Sequence, residues 1–560
     1  MKTYLERKIC LAWQAHDWEF LSNIDFETLE RENVNNSCKL MVLISNLHSG
    51  KGIESLETTL QEITEARDTE GFSSLLFTST YCSLAEAALA LNDSEKAKFY
   101  MDRASEIIGL PDAPTWLDDI RITNLQKISE IYGSREAENI CTLELGDAWA
   151  GNTVNTAIFR HHGMFTHSGK QYAAFYENKN SLKLVKRDIN SNVVEEYCLQ
   201  GNFHLEDAHN SISLGVDRCG IVHLSYDHHG SKLNYRRSKK PHSIAEWTDV
   251  LEMTGYKEDS VTYPAFILPS KTTPLLMLYR DGTWNKGAAY LKYYDEELEM
   301  WFDYDLPILS GAGQQPWTSN AYWNHPVVDK NGVIHLTFSW RIDYFSREQL
   351  ICNLNIDYAK SYDGGLNWST SKDYPYNLPI TQVNSETVWA IAPGENHINQ
   401  TSMALDSKGY PHVAFYMNDE FRVPQYFHLW FDGVKWYCSQ VTKRSNSFLL
   451  SGAGTLKIPI SRPEIVIDNT DTVYIIYRAE ETQQKLVASY QYPPAYKHEP
   501  KQILTLWDEP VGYAEPVIDK VRWSEMQVLS LLVQYNEQPN GDTTQLDEEA
   551  PIRIVDIRIK

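Results

Sequence analysis

The 560-residue sequence lacks several features that would assign it to common classes of protein. It contains no serine-hydrolase elbow, no phosphate-binding loop and no glycine-rich nucleotide fingerprint, so nothing supports nucleotide-dependent or serine-esterase chemistry. It has no unbroken apolar run long enough for a transmembrane helix or a signal-peptide core. We therefore expect no membrane association and a cytoplasmic location, unless a leader was removed from this chain.

Paired cysteines and basic residues are also scarce. The 8 cysteines are scattered without CxxC pairs, and a chain of this size does not need disulfides, so reduced thiols are expected. The 51 basic and 75 acidic residues give a formal charge of -24. Binding of nucleic acid requires clustered Lys and Arg, so we expect no nucleic-acid partner. An acidic polysaccharide would also be repelled at long range and would need a locally basic cleft.

Two parts of the chain have different hydrophobic periods, which predicts two domains. Residues 1–135 repeat apolar positions at helical spacing, and the segment from Ala85 to Ala104 resembles a tetratricopeptide-type hairpin. We predict an α-helical domain here. A structural or self-associating role is favoured over a scaffold for a protein partner, although both remain open. Residues 136–560 have period two and are predicted to be all β.

The β part repeats one theme, in which an apolar strand leads to Asp, then Gly, then a strand with an aromatic residue near its end. The clearest copies are SISLGVDRCGIVHLSYDHH, HPVVDKNGVIHLTFSW and SMALDSKGYPHVAFYMND. Asp and Gly supply the tight turn between paired strands. Seven such units at a spacing of roughly 50 to 70 residues predict a seven-bladed β-propeller of four-stranded blades.

One unit also contains the sequence SYDGGLNW at residues 361–368, which matches the Asp-box pattern S-x-D-x-G-x-x-W. The Ser and Asp of such a box bind backbone amides in a hairpin turn, and the Trp packs between strands. The box therefore supports the propeller fold and carries no chemistry of its own.

A more specific resemblance comes from the ordered segments DAHNSISLGVDRCGIVHLSYDHHG, TYP, LYRDG and NAYWNHPVVDKNGVIHLTF. Over residues 145–560, approximately, the chain resembles the seven-bladed propeller polysaccharide lyases, the ulvan lyases and their relatives with sialidase-type BNR repeats. Those families cleave uronate-containing chains by β-elimination. The resemblance implies that the catalytic residues are His209, His229, Tyr263, Arg280 and Tyr322.

The chemistry of elimination also accounts for these residue types. The C5 proton of a uronate becomes acidic only when the neighbouring carboxylate is neutralised, which Arg280 can do through a bidentate fork. We assign His209 and Tyr263 as the proton-transfer pair, with His229 and Tyr322 positioning the sugar or sharing those roles. Further substrate contacts are predicted, besides Arg280, for Asn210, His228 and Tyr279.

Each candidate residue could instead have a purely structural role. His223 recurs at equivalent positions as His335 and His412, which favours a packing role for all three. Arg280 could pair with Asp281 across a turn. The adjacent His228 leaves the identity of the second catalytic histidine open by one position.

No cofactor is required for β-elimination, and a structural zinc or calcium ion is the metal hypothesis. A zinc site could be formed by Cys352 with His335 and His397, although the spacings fit no compact zinc motif. Such an ion would brace the blades, because elimination needs no nucleophilic water.

The predicted function is therefore a lyase that acts on glucuronate or iduronate units, including rhamnose-linked chains of the ulvan type. The first alternative is a sialidase-like glycoside hydrolase, which needs either three converging arginines or a pair of carboxylic acids. Glu206, Asp207 and Asp227 lie near the candidate site, but the sequence shows no arginine triad. The second alternative is a non-catalytic propeller that binds a glycan or a protein.

Overall fold

The computed structural model describes residues 4–15, 17–48, 74–90, 94–108, 135–157, 162–284, 286–311, 320–342, 350–399, 401–493, 496–498, 501–542 and 546–560. The chain forms two compact units, Met1–Ser134 and Arg135–Lys560. Within the described ranges, no helix combines the length and the hydropathy needed to cross a bilayer.

Where the structure describes it, the first unit is helical, as predicted. Its described helices are α1 (Tyr4–Gln14), α2 (Trp18–Ser22), α3 (Phe26–Arg31), α4 (Asn36–His48), α5 (Ser74–Ala90) and α6 (Ser94–Ile108). Helix α5 packs against α6 through small buried side chains, which allow the two backbones to approach closely: Ala85, Ala88, Ala97 and Ala104. The residues that join α5 to α6 lie outside the described ranges.

The second unit is a seven-bladed β-propeller, which confirms the predicted fold. Blade 1 contains β2 (Met164–His167), β3 (Lys170–Asn178), β4 (Ser181–Asp188) and β5 (Val194–Gln200). Blade 2 contains β6 (Ser213–Val216), β7 (Val222–Ser225) and β9 (Tyr235–Arg237). Blade 3 contains β8 (His229–Ser231), β10 (Val261–Ile267), β11 (Leu276–Asp281), β12 (Ala288–Asp295), β13 (Met300–Asp303) and β14 (Leu309–Ser310).

The other four blades follow the same antiparallel plan. Blade 4 contains β15 (Asn320–Trp323), β16 (Val327–Val328), β17 (Ile334–Ile342), β18 (Cys352–Ser361) and β19 (Glu386–Trp389). Blade 5 contains β20 (Ser402–Leu405), β21 (Pro411–Asn418), β22 (Pro424–Phe431) and β23 (Trp436–Gln440). Blade 6 contains β24 (Glu464–Ile467), β25 (Val473–Arg478), β26 (Leu486–Gln491) and β27 (Ile503–Trp507). Blade 7 contains β28 (Val517–Ile518), β29 (Val528–Val533), β30 (Glu549–Ile559) and β1 (Ala137–Trp149). The unit also has helix α7 (Lys520–Met526) and two 3-10 turns, Thr153–Asn155 and Glu480–Thr482.

Blade 7 joins the two ends of the propeller unit. Strand β1 pairs with β30, and Leu143 lies opposite Ile554 in their register. The N-terminal strand thus supplies the outer edge of a sheet whose other strands come from the C-terminus. This pairing closes the ring, and it ties the first strand of the propeller to the last.

Successive blades meet through their first strands, since β6 contacts both β2 and β10, and β20 contacts both β16 and β24. The apolar cores lie between these neighbours. For example, Phe165 of blade 1 belongs to the same buried cluster as Leu214 and Leu224 of blade 2. The inward alternate residues of each strand therefore hold adjacent blades together by burial of apolar surface.

The repeated Asp and Gly of the sequence make the expected turns. In blade 2, the Asp217 carboxylate accepts a hydrogen bond from the Ile221 amide at 2.9 Å, and Gly220 has a φ of +85°, a conformation that favours glycine. The histidine that follows each turn is buried in its blade: His223 binds Tyr235 Oη at 2.8 Å, and His335 binds Tyr358 Oη at 2.6 Å. These contacts belong to the packing of the blades.

The Asp-box of blade 4 has the geometry expected for a structural element. Ser361 Oγ accepts a hydrogen bond from the Gly365 amide at 2.8 Å, and the Asp363 carboxylate accepts one from the Asn367 amide at 2.9 Å. Trp368 is buried and donates to the Gly365 carbonyl at 2.9 Å. The box fixes the turn after β18.

Candidate active site

A cavity of about 250 Å³ lies on the propeller unit and is lined by side chains from several blades. The loop before β6 places His209, β8 begins with His229, and the strands β10, β11 and β15 carry the other three predicted catalytic residues. The structure thus brings all five of these residues to one cavity: His209, His229, Tyr263, Arg280 and Tyr322.

The two histidines share one carboxylate. Asp207 Oδ1 lies 2.6 Å from His209 Nδ1, and Asp207 Oδ2 is hydrogen-bonded to His229 Nδ1. The two imidazole rings are stacked, with centroids 4.3 Å apart and an interplanar angle of 21°. Burial raises the pKa of Asp207, but the hydrogen bonds from both histidines outweigh that effect and hold the pKa well below its usual range.

Tyr263 is placed in the cavity by an irregular strand. The register between β10 and β11 shifts between Thr262 and Ala265, and Tyr263 adopts a φ of +54°. A positive φ is rare for a bulky side chain and is strained. The bulge turns the phenol toward the histidines, since the His209 and Tyr263 ring centroids are 6.0 Å apart.

Arg280 is a buried cation, only 2% exposed, between two phenols. Its Cζ lies 5.1 Å from the Tyr263 ring centroid, and its Nη1 is 3.5 Å from Tyr322 Oη. Its neighbour Asp281 pairs instead with Lys257 at 3.5 Å. A Cβ at Gly287 would lie 2.6 Å from Arg280 Cδ, so glycine makes room for this side chain.

No carboxylate of the described residues lies within ion-pair distance of Arg280, and its Nε has no acceptor among them. A buried charge without an anionic partner is costly for a folded protein. Such an arrangement indicates a site for a ligand anion.

Three further arginines line the same cavity, and the sequence reasoning missed them. Arg341 Cζ lies 4.9 Å from the Tyr322 ring centroid. Arg462 makes a two-point ion pair with Glu515, at 2.9 and 2.6 Å. Arg478 donates to backbone carbonyls, including that of Pro459 at 2.7 Å. The cavity is thus locally basic within an acidic protein.

One signal in the sequence could have found Arg478. It follows a tyrosine at the end of β25 in YIIYRAE, as Arg280 follows a tyrosine near the end of β11 in LMLYRDG. Equivalent strand positions of a propeller point to the same region, so the repeat predicts that both arginines approach the axis. Arg341 and Arg462 lie outside this repeat.

The arginines affect the two phenols differently. Burial raises the pKa of Tyr263, and the nearby Tyr322 adds to this, although the charges of Arg280, Arg462 and Arg341 oppose it. Burial also acts to raise the pKa of Tyr322, but the charges of Arg341 and Arg280 outweigh it and lower that pKa from its ordinary value. Tyr322 is therefore the phenol that ionises more readily.

The other predicted substrate contacts lie outside the lining of this cavity. Asn210 is buried and donates to the His204 carbonyl at 2.6 Å. His228 is buried against Ser225 Oγ at 2.9 Å, and burial lowers its pKa to about 3. Tyr279 is buried beside Tyr290, and burial raises its pKa. Their predicted contacts with substrate remain predictions.

The residues of the zinc hypothesis are not brought together. His397 Nε2 binds Ser339 Oγ at 2.7 Å, and His335 binds Tyr358 as described above. In the part of the chain that the structure describes, the group of three ligand side chains with donor atoms within 4.8 Å of one another is Asp207, His209 and His229. Two imidazoles with a carboxylate suit zinc better than calcium, which prefers oxygen ligands.

Comparisons with known proteins agree with the fold. Residues 170–444 match the model of a BNR repeat-containing family. The ulvan lyase (long isoform) of Glaciecola sp. (strain KUL10) is 26% identical over 238 residues, which cover 35% of this chain and 23% of that protein. The ulvan lyase (long isoform) of Alteromonas sp. (strain LOR) is 27% identical over 234 residues, or 34% and 23% of the two chains. The match thus spans less than a quarter of these relatives.

Solved structures show the same fold. The polysaccharide lyase Uly1 superposes with a TM-score of 0.55 at 14% identity, over 75% of this chain and 99% of that one. A PL25 ulvan lyase bound to -[GlcA(1-4)Rha3S]- gives a TM-score of 0.51 at 13% identity, over 74% and 95%. These structures confirm the propeller fold, and the sequence matches to ulvan lyases confirm the resemblance that the ordered motifs indicated.

Proposed function

We propose that the propeller is a polysaccharide lyase that cleaves uronate-containing chains by β-elimination. The observation that supports this proposal most strongly is the environment of Arg280, whose guanidinium is buried and has no carboxylate partner among the described residues. Two phenols and two imidazoles surround the same cavity. Elimination needs these groups and no others: a cation for the carboxylate, a base for the C5 proton and an acid for the leaving oxygen.

Arg280 makes the C5 proton acidic enough to remove. When the substrate carboxylate forms a bidentate pair with Arg280, the negative charge that builds on the carboxylate oxygens during proton removal is stabilised. The stabilisation is greater in the transition state than in the ground state, which is the condition for catalysis. Arg341, beside Tyr322, adds positive potential in the same region.

His209 and Tyr263 are the proposed proton-transfer pair, because their ring centroids are 6.0 Å apart and one sugar unit can contact both. The base takes the C5 proton, the C–H electron pair forms the C4=C5 double bond, and the C4–O4 bond breaks. The acid then gives its proton to O4. Products are an unsaturated uronate and a new chain end. We propose glucuronate or iduronate as the reacting unit, with rhamnose as a neighbouring sugar.

A sialidase-like hydrolase is the second candidate, and one observation favours it. Arg280, Arg341 and Arg462 all line the cavity and all act on the charge of Tyr263, which is the kind of arginine set that the sequence did not reveal. The two reactions differ in their products, since hydrolysis gives a saturated sugar and elimination gives a double bond that absorbs ultraviolet light.

The test is to incubate the full chain with ulvan and with other uronate polymers, and to follow the absorbance of the new double bond. We expect absorbance to rise with the parent protein and to be lost with His209→Ala. The matched control is His204→Ala, because His204 is also bonded to an aspartate, at 3.1 Å, but does not line the cavity. Saturated products would support the hydrolase, and binding without turnover would support a glycan-binding module.

A further inference from the structure

We propose that Trp284 is a binding platform for a sugar ring, and that it holds the unit of the glycan next to the reacting uronate. The inference rests on the proposed function, in which the ligand is a uronate-containing chain. Trp284 lines the same cavity as Arg280 and Tyr322, and its residue type is the one that sugar rings pack against.

The exposure of Trp284 distinguishes it from the other tryptophans of the propeller. Trp284 is 47% exposed, whereas the other propeller tryptophans that the structure describes are buried or half-buried. An exposed indole leaves a large apolar surface in water, which folding alone does not favour. Tyr263 and Tyr322, two phenols of the same cavity, are each only 4% exposed. Trp284 thus presents an aromatic surface that a ligand can cover.

A tight hairpin places Trp284 close to Arg280. Trp284 belongs to the connection between β11, which carries Arg280, and β12. The connection packs over Arg280, since a Cβ at Gly287 would lie 2.6 Å from Arg280 Cδ. Gly282 has a φ of +97°, which favours glycine, and its amide donates to the Ser260 carbonyl at 3.0 Å. One short, fastened segment therefore carries both the cation and the indole.

The chemistry of sugars explains what such a pair can bind. One face of a pyranose ring consists largely of C–H groups, while its hydroxyl groups point outward around the rim. This C–H face can pack on an indole, because the negative face of the aromatic ring attracts C–H groups and both surfaces leave water. The uronate carboxylate must reach Arg280, which is 2% exposed and lies at the buried end of the cavity. A ring that covers the exposed Trp284 is therefore the neighbouring unit of the chain.

The first test measures binding without turnover, in the His209→Ala background. The ligands are an ulvan oligosaccharide and free glucuronate, which fills only the Arg280 end of the cavity. We expect Trp284→Ala to weaken binding of the oligosaccharide about 5- to 10-fold, the scale of one aromatic stacking contact, and to change binding of glucuronate less than twofold. Trp284→Phe, which keeps an aromatic ring, should stay within about threefold of the background.

Unchanged affinity for the oligosaccharide in Trp284→Ala, or no binding of the oligosaccharide at all, would overturn the proposal. An equal loss of affinity for glucuronate would overturn the assignment of Trp284 to the neighbouring unit. The matched control is Tyr535→Ala, because Tyr535 is also 47% exposed but does not line this cavity. This variant should bind both ligands as the background does.

The fluorescence of the indole gives a readout that a purely structural role would not move. When a sugar ring covers Trp284, its emission should shift to shorter wavelength because the indole leaves water. The shift should be present in the His209→Ala background and absent when Trp284→Phe is added. A shift that persists undiminished in Trp284→Phe would contradict the platform role.

Turnover separates the platform from the proposed function. In the otherwise unaltered chain, Trp284→Ala should raise KM on the polymer about 5- to 10-fold with a smaller change in kcat, because the contact is made in the ground state as well as the transition state. If binding depends on Trp284 but the parent forms no double bond, the proposed function fails and the platform stands. If the parent forms the double bond but Trp284→Ala keeps the parental KM and affinity, the platform fails and the proposed function stands.

Discussion

Replacing Arg280 with methionine should remove most of the activity without lowering the stability of the propeller. The guanidinium is 2% exposed and lacks a carboxylate partner among the described residues, so its burial is not offset by an ion pair. Its contacts with the Tyr263 ring at 5.1 Å and with Tyr322 Oη at 3.5 Å together stabilise the folded state by about 1 to 2 kcal/mol. The cost of a buried charge in a real protein is several kcal/mol. We therefore expect Arg280→Met to unfold at the same temperature as the parent or higher.

The loss of activity follows from the two charge-assisted hydrogen bonds that a substrate carboxylate would make with the guanidinium. Each contributes about 1.5 to 3 kcal/mol, so the transition state loses about 3 to 6 kcal/mol. This corresponds to a decrease in kcat/KM of roughly 10²- to 10⁴-fold. Arg280→Lys, which keeps the charge but loses the fork, should retain part of the activity.

The assay combines thermal unfolding with the rate of ultraviolet absorbance on a uronate polymer. Arg187→Met is the matched control, since Arg187 is equally buried but forms an ion pair with Asp556 at 2.8 Å, away from the cavity. It should destabilise the fold by about 1.5 to 3 kcal/mol, because it removes the charge-assisted hydrogen bond to the buried Asp556, which keeps Arg522 as a second cation at 2.9 Å, and turnover per folded molecule should be kept. Near-parental turnover in Arg280→Met, or destabilisation as large as that of Arg187→Met, would refute the reasoning.

Three other residues give predictions of different kinds. Tyr322→Phe should lower kcat and remove an alkaline limb of the pH–rate profile, because the charges of Arg341 and Arg280 lower the pKa of this phenol despite its burial; an unchanged profile would exclude ionisation of Tyr322 in catalysis. Asp357→Asn should stabilise the protein above pH 6, as measured by unfolding at pH 4.5 and pH 8. Ser361→Ala should cost about 1 kcal/mol of stability through the lost Gly365 hydrogen bond and leave kcat unchanged; a large loss of kcat would contradict its structural role.

The sign for Asp357 follows from its burial, which raises its pKa to about 6 although Ser385 and Trp340 donate hydrogen bonds to it. The folded state then binds more protons than the unfolded state between pH 4 and pH 6, so stability falls as pH rises through this window. The loss amounts to about 3 kcal/mol. Because the amide of asparagine does not ionise, the variant should lose this pH dependence. If the parent and Asp357→Asn showed the same change in stability between pH 4.5 and pH 8, the argument would be contradicted.

The fold could be predicted because each blade has the same local sequence pattern. The period-two strands and the Asp and Gly turns occur within each blade, and counting these units predicts seven sheets. The pairing of β1 with β30 could not be predicted in this way, since more than 400 residues separate Leu143 from its partner Ile554. Neither strand contains the repeated turn. Only closure of the ring, which leaves each end in need of an edge partner, explains their pairing.

The candidate site was predictable where its residues occur in ordered motifs. His209, Tyr263 and Arg280 do, and the cavity brings them together. Arg341 and Arg462 were missed because each lies alone in its own blade, and only the radial arrangement of the propeller makes them neighbours. The sequence suggested Asp207 only as a carboxylic acid for hydrolysis. Its contact with both His209 and His229 could not be predicted, because that contact depends on where β8 places His229 in the folded chain.

The carboxylates near the cavity favour elimination over hydrolysis. A glycosidase needs one carboxylic acid that is protonated and a second group that is a base or a nucleophile. Asp207 is fixed as a carboxylate by two imidazoles, and both oxygens of Glu515 are bonded to Arg462. Asp542 accepts from the Thr455 amide. Each of these carboxylates thus already accepts hydrogen bonds within the protein, which leaves the imidazoles and phenols as the groups that can exchange protons with the substrate, and those are the groups that β-elimination requires.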